Sequence, residues 1–88
     1  SISAEVLTYP NPFVEDINFK CWLPAGGQLR IEVYDMLGKQ LLLFDEQVNE
    51  GIHTIPLNVS RDMYPGNVFM YQIKLDGKIQ SNGKIMRM

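Results

Sequence analysis

Cysteine and histidine are almost absent from this 88-residue chain, which has one of each, Cys21 and His53. A single cysteine excludes an internal disulfide, and a structural zinc site needs about four Cys or His ligands, so neither device holds this fold together. Long apolar runs are also missing. The longest cover four residues, as at Leu41–Phe44, whereas a membrane-spanning helix needs about 20. Basic residues number eight against ten acids, which argues against a nucleic-acid partner.

What the chain does have is the composition of one small globular domain, with 45% hydrophobic and 20% charged residues. It begins at Ser1 and carries no signal peptide, so we expect a piece of a longer protein. Residues 1–67 hold nine acids and four bases, a net charge of −5, while residues 68–88 hold four bases and one acid, a net charge of +3. This asymmetry fits either an ordinary solvated surface or a C-terminal element steered to a partner by its charge.

Apolar residues alternate with polar ones over several short stretches, for example at Phe19, Cys21 and Leu23 and again at Leu29, Ile31 and Val33. Successive side chains of an extended strand point to opposite faces, so this period of two predicts half-buried strands. The predicted strands cover residues 4–9, 16–23, 28–35, 40–46, 52–57, 68–75 and 78–87.

Turn-forming residues separate the predicted strands. The Asp76-Gly77 pair predicts a two-residue hairpin of type I′, and Gly38 predicts a turn that needs a positive φ. Pro56 lacks a backbone N–H, which predicts that strand 52–57 lies at a sheet edge or is bulged. Ser81-Asn82-Gly83 predicts a further turn or bulge.

These features predict an all-β fold, a seven-stranded immunoglobulin-like antiparallel β-sandwich. Residues 1–8 are predicted to be the end of an upstream linker with the first strand, and residues 9–88 a single sandwich domain. The predicted core shares the inward positions of the strands: Val6, Phe19, Cys21, Leu23, Leu29, Ile31, Val33, Leu41, Leu43, Ile55, Leu57, Phe69, Tyr71, Ile73 and Leu75.

Catalytic and metal-binding patterns are scarce. A nucleophile pair of Cys21 and His53 is conceivable, but the predicted inward position of Cys21 favours an inert thiol. Three acids could hold Ca²⁺ near a turn, although no loop spacing fixes them, and exposed aromatic side chains could stack on sugars. These acids are Asp45, Glu46 and Glu50, and the aromatics are Trp22, Tyr34 and Tyr64. We therefore predict no catalytic residue, no cofactor and no metal.

An ordered set of short motifs resembles that of a known family. It comprises Tyr9-Pro10-Asn11-Pro12-Phe13, the strand with Ile17, Phe19 and Leu23, Ile31 through Lys39, Gly51, Pro65-Gly66 before Phe69-Met70-Tyr71-Gln72-Ile73, and Gly83-Lys84-Ile85. Together they resemble the type A C-terminal sorting domain of the type IX (Por) secretion system of Bacteroidetes. One departure is that Asn67 looks inserted and Phe69 replaces the family's tyrosine.

The resemblance implies a role in transport, with the domain at the C-terminus of a cargo protein. Such domains fold in the periplasm and are recognised by an outer-membrane translocon with its shuttle and sortase proteins. The sortase usually removes them at the cell surface while joining the cargo to an anionic lipopolysaccharide. Recognition is predicted at Lys78, Gly83, Lys84, Ile85, Arg87 and Met88. The structural motif residues are predicted to be Pro10, Asn11, Pro12, Gly38, Lys39 and Gly66.

The physics of strand edges is consistent with this role. A C-terminal hairpin would place residues 78–88 at a sheet edge, which a receptor can bind by adding a strand, and which could also form a weak homodimer. Two other classes stay open: a carbohydrate-binding or fibronectin-like accessory module, and a structural spacer resembling the immunoglobulin-like domain of flagellar hook-capping proteins. An enzyme is the least supported class.

Overall fold

The structure is a computed structural model that describes residues 5–88. Its described residues form seven strands and no helix: β1 (Glu5–Tyr9), β2 (Asp16–Leu23), β3 (Gly27–Tyr34), β4 (Gln40–Val48), β5 (Gly51–Asn58), β6 (Val68–Leu75) and β7 (Lys78–Met86). Residue 4 of the first predicted strand lies outside the described residues. Because there is no helix, the described chain has none that could cross a membrane.

The strands form two antiparallel sheets, one ordered β1-β2-β5 and the other β4-β3-β6-β7. The seven-stranded immunoglobulin-like β-sandwich is therefore confirmed. Strand β5, which contains Pro56, is an edge strand, as a residue without an N–H donor requires. The division of the chain at residue 8 stays a prediction, although β1 pairs with β2 along its whole length.

The core lies between the sheets and is built by the alternation seen in the sequence. In β2 the buried side chains are Ile17, Phe19, Cys21 and Leu23, and the residues between them face outward. The ring of Phe19 meets that of Tyr71 edge-on, with centroids 5.2 Å apart, which is a favourable aromatic geometry. Each strand therefore stabilises the sandwich through the face that the period of two predicts.

The core prediction was wrong at Leu43, which is 44% exposed. The pairing of β3 with β4 shifts between Val33 and Tyr34, whose partners are Leu42 and Gln40. The extra residue, Leu41, reverses the alternation in β4, so Leu42 and not Leu43 packs against the core. A shift of one residue moves every following side chain to the other face.

Five of the predicted core residues are less buried than expected, and four buried residues were not predicted. Val6, Leu41, Ile55, Leu57 and Tyr71 are half-buried and pack against the core. The prediction omitted four fully buried side chains: Phe13, Ile17, Val59 and Ile85.

The two predicted features of the C-terminal hairpin had different outcomes. Asp76 and Gly77 have φ values of 51° and 79°, and Leu75 pairs with Lys78, which confirms a two-residue type I′ turn. No turn forms at residues 81–83, because β7 continues through them. The irregularity lies earlier, where Ile73 pairs with Ser81 and Lys74 with Ile79, leaving Gln80 as a bulge.

Candidate recognition site at the C-terminal strand

Strand β7 is the edge of the four-stranded sheet and pairs with β6 alone among the described strands. Its outer edge is nevertheless covered over its last residues by the segment that precedes β2. The Asn11 amide donates to the Lys84 carbonyl (3.3 Å) and accepts from the Met86 N–H (3.0 Å). Next to it, the Phe13 N–H donates to the Met86 carbonyl (2.8 Å) and the Met88 N–H donates to the Phe13 carbonyl (2.7 Å).

This cover, which we call the N-terminal cover, is formed by Asn11 and Phe13 and accounts for the sequence motif around Pro10-Asn11-Pro12. Pro10 and Pro12 are exposed and follow cis peptide bonds, and between them Asn11 imitates a neighbouring strand with its side-chain amide. Phe13 then buries its ring completely and forms a parallel bridge with Arg87. The edge of β7 from Lys84 onward is therefore already bonded within the fold by Asn11 and Phe13.

Arg87 is 4% exposed, so its side chain is not a surface feature. Its guanidinium donates to the carbonyl oxygens of Tyr64 (2.8 Å), Gly66 (2.9 Å) and Val59 (2.8 Å). Among residues 5–88, its Nε has no hydrogen-bond partner. Burial, aided by the charge of Arg61, lowers the pKa of Arg87.

Two aromatic rings complete the surroundings of this cation. The guanidinium carbon lies 5.6 Å from the ring centre of Phe13 and 5.0 Å from that of Phe69. The backbone N–H of Arg87 also donates to the backbone carbonyl of Asn67 at 2.7 Å. Arg87 thus ties the 59–67 loop, the N-terminal cover and the end of β7 together, which gives it a structural role in the folded domain.

The other residues predicted for recognition divide by exposure. Lys78, Lys84 and Met88 are exposed, whereas Ile85 is fully buried in the core. Gly83 is half-buried because the Tyr71 ring crosses it: a Cβ at Gly83 would lie 2.8 Å from the Tyr71 hydroxyl oxygen. The sequence motif therefore mixes residues that a partner could touch with residues that hold the strand in place.

The predicted motif residues at the middle of the chain lie at the same end of the sandwich. Gly38 has φ 87° in the turn between β3 and β4, where the Asp35 carboxylate accepts from the N–H groups of Leu37 and Lys39, both at 2.9 Å. Gly66 has φ 112°, and its carbonyl accepts from Arg87. Both glycines occupy conformations that other residues adopt only under strain.

The candidate catalytic pair does not have the chemistry of a nucleophile. Cys21 and His53 face each other across β2 and β5, but burial raises the pKa of the Cys21 thiol to about 11. The His53 Nε2 lies 2.6 Å from the Asn49 carbonyl oxygen. A thiol that stays protonated at neutral pH is a poor nucleophile.

Three of the metal and sugar candidates, Asp45, Trp22 and Tyr34, contact other side chains of the domain. Within residues 5–88, no group of three His, Cys, Asp or Glu side chains could hold a metal ion. Asp45 instead accepts from Gln28 and Arg30. Trp22 carries the Lys20 ammonium 5.1 Å from its ring centre, and the Tyr34 hydroxyl donates to Glu32 at 2.8 Å.

Glu32 is a buried charged residue that the sequence prediction missed. It is 3% exposed on the outer side of the four-stranded sheet. Arg30 Nε donates to it at 2.7 Å and Lys74 Nζ lies 3.4 Å away. Burial alone would raise its pKa, but the hydrogen bonds from Tyr34 and Arg30 and the charge of Lys74 outweigh burial, and the net effect lowers the pKa. Only the cross-strand register, which pairs Arg30 with Lys74 and Glu32 with Gln72, could have revealed this cluster.

Comparison with known protein families identifies the family of this chain. The family model of the secretion system C-terminal sorting domain matches residues 7–86, which is nearly the whole chain. The chain belongs to this family. As a sorting domain of the type IX (Por) secretion system, it is a C-terminal secretion signal, its cargo is a secreted or cell-surface protein, and it interacts with the secretion machinery. No curated protein matches this sorting domain.

A solved structure supports the fold of the sorting domain. The crystal structure of dimeric latent PorU from Porphyromonas gingivalis superposes with a TM-score of 0.66 at 17% identity. The match covers 97% of this chain and 9% of that chain, so the sorting domain spans a small part of its structural relative. At this identity the similarity shows the sandwich fold alone, and no residue role is transferred from that structure.

Proposed function

We propose that the type IX machinery recognises this sorting domain through β7, by the exposed side chains that this strand presents. The observation that carries the proposal is that Lys78 and Lys84 are exposed on the strand at the edge of the four-stranded sheet. From Lys84 onward the edge of the strand is bonded to Asn11 and Phe13, so the partner would contact side chains there.

Charge supports the same surface. Lys78 and Lys84 are exposed on β7, whereas the nearby Lys74 lies 3.4 Å from the Glu32 carboxylate. The two exposed lysines would attract an acidic partner surface over a distance of about 8–10 Å at ordinary salt. Of the predicted recognition residues, Lys78, Gly83, Lys84 and Met88 would contact the partner, and Ile85 and Arg87 would act by holding the strand.

The wider proposal places this recognition in an export route. The partners would be the outer-membrane translocon with its shuttle and sortase proteins, met after transit through the periplasm. The cargo would lie upstream of Glu5, to be joined to a surface lipopolysaccharide after removal of the domain. A weak homodimer through β7 is the other use that we propose for this edge strand. We propose no catalytic activity for the domain: its thiol is buried, and Glu32 and Asp45 form ion pairs with Arg30.

The test is export of a carrier protein fused to residues 1–88 in a bacterium with a type IX system. Lys84→Glu reverses one exposed charge on β7, and Lys20→Glu reverses a half-buried charge on the outer side of the other sheet. We expect Lys84→Glu to reduce surface delivery at least severalfold and Lys20→Glu to leave it near the parent level. Equal delivery by the two variants, with unchanged thermal unfolding, would show that β7 is not the recognised element.

A further inference from the structure

A cleft opens at the end of the four-stranded sheet where the turn between β3 and β4 faces the loop before β6. We define this turn cleft by its lining: Asp35, Met36, Leu37, Pro65, Gly66, Asn67 and Val68. Its volume is about 390 Å³. The sorting motifs at Gly38-Lys39 and Pro65-Gly66, which are far apart in sequence, form or adjoin its two walls.

The apolar side chains of the turn wall are exposed to an unusual degree. Leu37 is 94% exposed and Met36 is 60% exposed. The turn that displays them is fixed, because the Asp35 carboxylate accepts from two backbone N–H groups and the Gly38 N–H donates to the Asp35 carbonyl at 3.1 Å. Large apolar side chains that a fixed turn presents to solvent are typical of interaction surfaces.

The loop wall is equally fixed. The Gly66 carbonyl accepts from Arg87 at 2.9 Å, and the Asn67 carbonyl accepts from the Arg87 N–H at 2.7 Å. The Asn67 side chain also accepts from Arg61 at 3.4 Å. Neither wall needs to be ordered by a ligand, so the cleft is preformed.

The apolar surface continues from the cleft onto β6 and β7. Val68 pairs with Met86, and the next outward residue, Met70, pairs with Lys84. Met70 and Met86 are exposed. Methionine side chains are flexible and polarizable, and they adapt to differently shaped apolar partners.

Charge around this surface points to the chemistry of the occupant. Lys39 at the end of the turn and Lys84 on β7 are both exposed. The acid of the cleft lining, Asp35, already accepts two hydrogen bonds from its own turn. The surface thus presents apolar side chains beside two exposed cations, which complements an apolar side chain flanked by carboxylates.

We propose that the turn cleft is a second docking site for the secretion machinery, and that its occupant is a protein segment with an apolar side chain flanked by acidic residues. The inference rests on the proposed function, because it names a further contact made by the same exported domain. A concave site with two fixed walls favours a protein segment over a lipid surface, which would need apolar side chains on a convex face.

The test uses the carrier fused to residues 1–88, with the double variant Met36→Ser/Leu37→Ser. The control is Ile52→Ser, which removes a 61% exposed apolar side chain from the outer face of the other sheet. We expect the double variant to reduce surface delivery at least tenfold, with its thermal unfolding unchanged, and the control to export normally. Because both replaced side chains project into solvent, the double variant keeps the fold.

A photo-crosslinking amino acid at position 37, compared with the same residue at position 52, identifies the occupant. A crosslink from position 37 to a protein of the export machinery supports the proposal. A crosslink to a second copy of the chain or to lipid, or normal export of the double variant, overturns it. If the double variant exports normally while Lys84→Glu fails, recognition by β7 stands without the cleft. If the parent fusion is not exported, the proposed function itself is wrong.

Discussion

Arg87 provides the sharpest test of how this domain is held together. Replacing it with methionine keeps an apolar stem of similar length between Phe13 and Phe69 but removes three hydrogen bonds of 2.8, 2.9 and 2.8 Å. Hydrogen bonds to a charged group contribute about 1.5–3 kcal/mol each, and the carbonyls of the 59–67 loop would lose their donor. Removing a buried charge recovers part of this loss, since its desolvation was costly.

The net expectation is a loss of about 3 kcal/mol in the free energy of unfolding. A domain of this size has about 4–13 kcal/mol in total, at about 0.05–0.15 kcal/mol per residue. Since about 1 kcal/mol shifts the melting temperature of such a domain by about 4–8 °C, we expect a fall of about 12–24 °C. Arg87→Lys should also destabilise, because one ammonium lacks the planar fork that reaches three carbonyls.

Urea unfolding followed by tryptophan fluorescence measures this difference. The control is Arg61→Met, an exposed arginine that contacts the main-chain oxygen of Met88 at 2.6 Å, and we expect it to cost less than about 1 kcal/mol. If Arg87→Met unfolds within about 1 kcal/mol of the parent, the guanidinium does not hold the loop. If export of Arg87→Met falls in proportion to the folded fraction, Arg87 acts through the fold and not through direct contact with a receptor.

Three further predictions concern the β7 cover, the thiol and the buried carboxylate. Asn11→Ala should cost about 1 kcal/mol and speed hydrogen exchange of the Met86 amide, and unchanged exchange there would contradict the cover. Cys21, whose pKa burial raises to about 11, should resist a thiol reagent at pH 8 until the domain unfolds, so immediate labelling would refute its burial. Glu32→Gln should destabilise at pH 7. Because the folded pKa of Glu32 lies below its ordinary 4.5, the difference should shrink as pH falls through the folded pKa, and a constant difference in urea unfolding would argue against the ion cluster.

Together, these interactions show why a sorting signal can need its whole domain. The last residues of β7 do not form a separate tail, because Ile85 lies in the core and Arg87 bonds to the 59–67 loop. The recognition surface that we propose, including Lys84 and the turn cleft, forms only when those contacts are made. A truncation at the C-terminus would therefore remove the proposed recognition surface together with the interactions that position it.

The sequence by itself determined the strands and their inward faces. A period of two is a local property, since adjacent side chains of an extended chain must point to opposite faces, and it located β2 and β6 without any knowledge of neighbours. The hairpin at Asp76-Gly77 was equally local, because two successive positive φ angles are set by those two residues. The family motifs were also visible, since they are defined by order along the chain.

Tertiary structure decided what depends on pairing between distant segments. The bulge at Leu41 arises from the register of β4 on β3, and it exposed Leu43 against the local pattern. The burial of Phe13 and Arg87 required the N-terminal cover and the 59–67 loop to meet the end of β7, across more than 70 residues of sequence in the case of Asn11 and Lys84. Such contacts follow from how the sheets close around one core, and side-chain periodicity contains no information about that closure.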